Sequence, residues 1–520
     1  MKVVYFVICL VMLTINADAV SFPLSVHSSG RYLVDSVGTP FRVQSDAAWL
    51  MTTRATSSEV DTYLADRKSR GFNTIVLMGA VNSGYSPGTN NNGNEPYNRN
   101  GDLPWTTKTG GGTYNNPSAQ VPDLSTPNAT YWAWVDTVIS KANAQGMAVL
   151  FFPLYLGWGG QNYGWWSTLV DSGNSQAKVY SFGQWLGTRY SAYSNIIWMA
   201  GGDFGPTHGS PWTTEGETRD HKIFEGIKAS GATQILGAQW DNPDTLATDT
   251  VSFAAIIDLN TFYGYGPSYN GVVGQTSDRA WQVSPSKPVL AFEMGYEDDS
   301  LSGNTSVPNT RKDTRYYQWS SILAGSTAGN CFGTYGVWNW LTGTYIWSSR
   351  INSSGSNDAS YLNTLFATVM WYNHKPSGTG TGYLGRSLIV SGQGTDLTYI
   401  YASSDSNGSG TSILAYVPPT GTSAKTFSVD LRGMGSTTRA RWFNPTSGAY
   451  TTIGNFANTL SAQSFTTPGN NGSGTNDWVL VVDAVGNVNV STITNSFSLS
   501  QLDVSYTSGS SVMLISSQRN

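Results

Sequence analysis

Cysteine is all but missing from this 520-residue chain, and charge is scarce: there are two Cys, and Asp, Glu, Lys and Arg together supply 12% of the residues. Cys9 sits in an N-terminal leader, which leaves Cys331 alone and excludes an intramolecular disulfide framework. The four histidines, His27, His208, His221 and His374, are too scattered for paired-ligand spacing, so neither a metal nor any other cofactor is expected. Lys and Arg form no stripe and the net charge is −5, which argues against a nucleic-acid partner. Past the leader no stretch approaches the roughly 20 uncharged apolar residues that span a bilayer, so no membrane partner is expected. A phosphate-cradling glycine loop ending in Lys-Ser/Thr is also missing. One serine-hydrolase string occurs, Gly84-Tyr85-Ser86-Pro87-Gly88, and it fails chemically. A nucleophile elbow uses the backbone N–H after the serine as oxyanion donor, and Pro87 has none.

What the chain has instead is aromatic rings, 13% of residues with 19 Trp, in a background rich in Gly, Ser, Thr and Asn. Exposed rings on a weakly charged protein suit stacking against the apolar C–H faces of sugars; the competing use is a large aromatic core. The leader MKVVYFVICLVMLTINADA carries one Lys, an apolar run from Val3 to Ile15 and the small-x-small site Ala17-Asp18-Ala19. It reads as a signal peptide over 1–19, so the mature protein is expected to be secreted, extracellular and monomeric. Asn-x-Ser/Thr sites at Asn128, Asn304, Asn352, Asn407, Asn471 and Asn489 matter only in a glycosylating host.

From about Phe41 to Trp340, short β-branched or aromatic runs alternate with amphipathic helical patterns, the signature of repeated βα units. Eight runs are counted: 41–49, 74–80, 148–156, 195–203, 234–240, 255–264, 288–296 and 333–340. Eight closes a barrel, so a (β/α)8 TIM barrel is predicted over 20–376. The helix over 57–71 takes Ser57 or Ser58 as N-cap and Gly71 as C-cap, and that over 126–146 takes Thr126 and Gly146. The insert Val81–Leu124 is far longer than an ordinary βα loop and is expected to overhang the active face. After a linker at 377–383, short alternating strands at hairpin spacing predict an antiparallel β-sandwich over 384–485, and then a Ser/Thr/Asn-rich tail over 486–520.

Catalytic groups in such a barrel stand at the C-terminal strand ends, where the acids are Asp46, Asp203 and Glu293. Strands four and seven face one another across the mouth, so Asp203 and Glu293 could flank one glycosidic bond. Glu293 leaves a buried strand in KPVLAFEMGY and is taken as nucleophile; Asp203 follows two glycines in IIWMAGGD and is taken as general acid/base. Singly, each has an ordinary explanation, a helix cap or an Arg partner; independent caps would not be expected on two facing strands. Asp46 is assigned to orienting substrate hydroxyls or a neighbouring side chain. Trp49, Trp158, Trp240, Tyr263, Trp338 and Trp340 lie at or past strand ends, where rings could bind sugar, and His208 could bond substrate or the acid.

These segments resemble the apiosidase-like glycoside hydrolases, once a domain of unknown function, along nearly the whole mature chain. GRYLVDSVGTPFRVQSDAAWL, EVDTYLADRKSRGFNTIVL, IIWMAGGDF and KPVLAFEMGY resemble that family's N-terminal strand pair, first βα unit and two catalytic strands. RARWFNPTSGAYT with DWVLVVDA resembles the sandwich behind them, often labelled collagen-binding, although nothing in the residues supports collagen as a ligand. The resemblance implies a retaining mechanism with the acid/base on Asp203 and the nucleophile on Glu293, and a polysaccharide or oligosaccharide substrate, apiose on rhamnogalacturonan II in family members. QSDAAWL departs from the family's G-D-T/A-A-W pattern at its first residue, which puts the substrate wall there in doubt. The rival is an extracellular carbohydrate-binding or adhesion protein on a barrel without catalysis, separated from the enzyme by whether any glycan is cleaved.

Overall fold

The computed structural model describes residues 20–82, 94–160, 164–241, 245–264, 273–299, 308–342, 346–377, 387–405 and 410–485. The leader, the Gly84–Gly88 string, most of the 377–383 linker, the tail and the sites at Asn304, Asn407 and Asn489 lie outside the described residues.

A small antiparallel sheet opens the fold, β1 (Ser25–Val26), β2 (Leu33–Val34) and β3 (Pro40–Phe41). Eight parallel strands follow: β4 (Val43–Ala47), β5 (Thr74–Ala80), β6 (Ala148–Leu154), β7 (Ile196–Gly201), β8 (Leu236–Gln239), β9 (Asn260–Gly264), β10 (Val289–Met294) and β11 (Gly329–Phe332). Their order is β8-β7-β6-β5-β4-β11-β10-β9, and the gap between β8 and β9 is bridged where the Asp258 and Leu259 amides donate to Leu236 O at 2.7 and 3.1 Å. Each strand leads into a helix: α1 (Ser57–Ser69), α2 (Ala129–Ala144), α3 (Gln176–Tyr190), α4 (Thr214–Ala229), the single turn α5 (Val251–Ala254), α6 (Val273–Trp281), α7 (Arg311–Leu323) and α8 (Ser354–Phe366). Helices cover the outside and side chains fill the inside. That is why runs such as TIVLMGA and AVLFFPL are buried at every position rather than at alternate ones.

Three expectations shift. The cap of α1 is Thr56, whose hydroxyl accepts from the Glu59 amide while the Glu59 carboxylate accepts from the Thr56 amide. Asn128, not Thr126, caps α2 by accepting from the Thr130 amide. The eighth strand is Gly329–Phe332, ahead of the aromatic run 333–340, which lies in the loop leaving that strand. A Cβ at Gly329 would stand 1.9 Å from Val43 O, so the approach of β11 to β4 requires glycine there.

The described part of the 81–124 insert is fastened down. Glu95 pairs with buried Arg54 at 2.5 Å, and Trp105 meets Trp165 edge-on with centroids 4.8 Å apart.

The C-terminal sandwich pairs a six-stranded antiparallel sheet with a three-stranded one. The larger sheet runs β12 (Lys375–Pro376), β14 (Tyr401–Ser404), β15 (Ser412–Val417), β20 (Trp478–Ala484), β17 (Thr438–Phe443), β18 (Tyr450–Phe456); the smaller is β13 (Ile389–Ser391), β16 (Thr426–Val429), β19 (Gln463–Thr466). Lys375–Pro376, expected inside the barrel domain, therefore belongs to a sandwich sheet. One face of the larger sheet packs Ile413, Ala415, Leu480 and Val482 toward Phe427 and Phe465. The other packs Leu414, Tyr416, Phe443, Val479 and Val481 onto Trp319 of α7 and Leu362 and Phe366 of α8. Across that seam Arg315 donates to Asp477 through Nε at 2.7 Å and Nη2 at 2.9 Å, and to Asp358 through Nη1 at 2.8 Å.

Candidate active site

At the end of β7 the chain takes three consecutive left-handed residues, Gly201 (φ 77), Gly202 (φ 101) and Asp203 (φ 50). Glycine is required at the first two: a Cβ would come 2.3 Å from Gln239 O at Gly201 and 2.5 Å from the Tyr155 ring at Gly202. The bend lifts Asp203 over the mouth, at a cost of roughly 1–2 kcal/mol for an L-residue in that region. Asp220 of α4, 1% exposed, supports the bend from below by accepting a hydrogen bond from the Gly201 backbone amide.

Asp203 is met there by three polar groups, Glu293, Tyr155 and Gln239. Tyr155, just past β6, donates its hydroxyl to Oδ2 at 2.7 Å. Gln239, at the end of β8, donates Nε2–H to Oδ1 at 2.6 Å, and the same nitrogen donates to Glu293 Oε2 at 2.6 Å. Those two carboxyl oxygens are therefore no further apart than twice 2.6 Å. Glu293, 5% exposed near the end of β10, also hydrogen-bonds Tyr296, whose hydroxyl accepts from Trp49 Nε1 at 2.9 Å. Burial lifts Asp203 above the ordinary carboxylate range; burial and the adjacent Asp203 charge lift Glu293 well above it. Two carboxyls held this closely in a dry site share a proton, and they titrate as a pair.

Sequence reasoning had placed ten residues at this mouth. The structure brings together Asp203 and Glu293, sets Tyr263 in register beside Glu293, and leaves Trp158 exposed at 46%. Trp338, 9% exposed, donates Nε1–H to Asp299 at 2.8 Å and lies near the Tyr296 ring. Trp49 is 2% exposed and serves as a buried donor beneath Tyr296 rather than a sugar platform. His208 bonds the Asp241 carboxylate through Nδ1.

Three placements are corrected. Asp46 points into the helix layer, wholly buried, accepting from Tyr63 at 2.7 Å and paired with Arg67 at 3.3 Å, both on α1; of the two uses expected of it, the structure shows the contact with neighbouring side chains and not a place at the mouth. Trp240 packs edge-on to Trp212 and Phe253 and is 2% exposed. Trp340 stacks on Trp347 with centroids 4.5 Å apart and is 1% exposed. In both, aromatic packing behind the mouth outcompetes exposure. Gln239, Tyr155, Tyr296 and Asp241 are site residues that the sequence reading does not name; Gln239 stands at the end of its predicted strand in QILGAQW and Asp241 directly follows that strand, positions that flag both. Among the described residues no group of three or more His, Cys, Asp or Glu could hold a metal ion, and no helix is long and apolar enough to cross a membrane.

Fold and family together define a glycoside hydrolase on a (β/α)8 barrel. A solved structure described as a glycoside hydrolase is 22% identical with a TM-score of 0.70, the match covering 89% of this chain and 97% of that one. A family 5 glycoside hydrolase from Bacteroides vulgatus gives 21% identity, a TM-score of 0.70 and coverage of 89% and 95%. The chain belongs to the apiosidase-like family, whose catalytic-domain model matches residues 27–373. The model of a collagen-binding domain of a collagenase matches residues 385–483. No curated protein sequence matches the chain.

Proposed function

We propose that this protein is a secreted, retaining glycosidase that removes side-chain sugars from plant-type or microbial polysaccharides, with Asp203 as general acid/base and Glu293 as nucleophile. Apiose on rhamnogalacturonan II is the first substrate to try, on the strength of family membership. The observation that carries the reading is Gln239: one amide nitrogen serves both carboxyls at 2.6 Å. Retaining pairs stand about 5–5.5 Å apart and inverting pairs about 6.5–9.5 Å, and a shared donor favours the closer spacing.

In the first step the proton on Asp203 passes to the glycosidic oxygen, the bond from that oxygen to the anomeric carbon breaks, and Glu293 bonds the anomeric carbon. In the second, Asp203 takes a proton from water, the water oxygen attacks that carbon, and Glu293 leaves as carboxylate. Burial and the adjacent Asp203 raise Glu293, and the Tyr296 and Gln239 hydrogen bonds oppose that rise, so the reading requires the proton of the pair to lie on Asp203 once substrate is bound. Burial helps Asp203 to keep its proton.

The test is a pectin and hemicellulose oligosaccharide panel with the released sugar identified and its first-formed anomer read by proton NMR. The expected result is one sugar released with its configuration kept; Asp203→Asn and Glu293→Gln each lose at least 10³-fold in kcat, the order expected for an essential acid, base or nucleophile. Full activity in either variant, or an inverted product, would overturn the reading. Export is checked by sequencing the N-terminus of protein recovered from medium, expected at Val20.

A further inference from the structure

β6 and β10 stand four places apart in an eight-stranded barrel, so groups beyond β6 face Glu293 from across the mouth, on Asp203's side. Trp158 is there, the one exposed ring among the six aromatic candidates. Its neighbour Gly159 donates its amide to Asp203 O at 3.1 Å, which ties this loop to the backbone of the proposed acid. His208, in the turn Pro206–His208 that follows Asp203, lies against the same loop: a Cβ on Gly159 would come 2.8 Å from its Nε2. Asp241, 6% exposed and two residues past Gln239, hydrogen-bonds His208 Nδ1 through its carboxylate. Asp241 is close enough for its charge to be coupled to that of Asp203.

An acid that protonates a glycosidic oxygen has the departing sugar beside it. The Asp241 carboxylate takes the Nδ1 side of the His208 ring, which leaves Nε2 for another partner. We propose that Trp158 and the His208–Asp241 pair form the subsite for the leaving-group sugar: the indole stacks on the apolar face of its ring, and His208 Nε2 hydrogen-bonds one of its hydroxyls. The ligand class is a hydroxylated sugar ring, not an alkyl or aryl group.

This inference rests on Asp203 being the acid/base, and the experiment separates the two. The released sugar is presented to the full-length protein in two forms, a natural disaccharide and its 2,4-dinitrophenyl glycoside, which departs without a sugar in the subsite. Trp158→Ala and His208→Ala should each lower kcat/KM on the disaccharide about tenfold more than on the aryl glycoside, and His208→Gln, which keeps a polar acceptor, should recover part of that difference. Equal losses on both substrates, or none, would overturn the subsite alone. Wild-type protein inert on both substrates would overturn the glycosidase reading and the subsite with it.

Discussion

Replacing Gln239 by Leu removes one nitrogen from between two carboxyls while nearly keeping the volume of a fully buried side chain. The lost contacts are two hydrogen bonds of 2.6 Å, each charge-assisted when its carboxyl is ionised. Such bonds contribute about 1.5–3 kcal/mol, and one pKa unit corresponds to about 1.4 kcal/mol. Donors to a carboxylate favour its charged form, so removing them raises the pKa. Because the nitrogen touches both groups, both ionisations of the pair rise, by about 1–2 units each. The acid limb of the kcat/KM profile reports loss of the proton from the nucleophile and the alkaline limb loss of the proton from the acid. Both limbs of the Gln239→Leu profile should therefore move to higher pH together, with the peak lowered as the carboxyls lose their common anchor. The assay is kcat/KM against pH on the sugar identified by the panel, with circular dichroism to show that the fold survives. An unmoved profile, or movement of one limb only, would refute the shared-donor account.

Three further outcomes concern the scaffold. Arg315→Met removes the charge partner of buried Asp477, while Asp358 keeps Arg311, and should cost about 3–5 kcal/mol, read as a fall in urea midpoint; a change under 1 kcal/mol would show the seam to be held by apolar packing alone. Burial opposes the charge on Asp477, yet its bonds to Arg315 hold it below the ordinary carboxylate range, so the stability it contributes is present above the ordinary Asp value and lost as pH falls below it; Asp477→Asn should flatten that acid slope. Asp220 runs the other way. Burial raises it to about 7, so stability should decline as pH climbs from the ordinary Asp value toward 7, and Asp220→Asn should remove the decline while still accepting from Gly201; a slope identical to wild type would refute it.

Much of the barrel could be read from sequence because its strands are buried on both faces and show as unbroken apolar runs, TIVLMGA and AVLFFPL above all. The eighth strand broke that rule. GNCF is small and partly polar where β11 crowds β4, while the aromatic run after it looks like a strand and is a packed loop. The same confusion of ring content with position put Trp240 and Trp340 at the mouth, since hydrophobicity says that a ring is covered but not by what. Asp46 was misplaced by one pleat: alternate residues of a barrel strand face inside and helix layer, and with no alternation in burial the sequence gives no parity. Asp203 was legible through its two glycines, whose need for left-handed backbone is local. Gln239 was not, because its importance arises from two residues far along the chain, Asp203 and Glu293, that only the closed barrel brings to it.

The central strands of the six-stranded sheet are covered on both faces, one side by the small partner sheet and the other by α7 and α8, while the edge strand β18 stays largely exposed. Moved alone, such a module would expose the apolar face that now covers α7 and α8, and a catalytic fragment cut before Lys375 would carry an oily wound where Trp319 and Phe366 now lie covered. Inheritance of the two parts is then expected to be joint, and engineers seeking a smaller enzyme should trim loops and leave the sandwich in place.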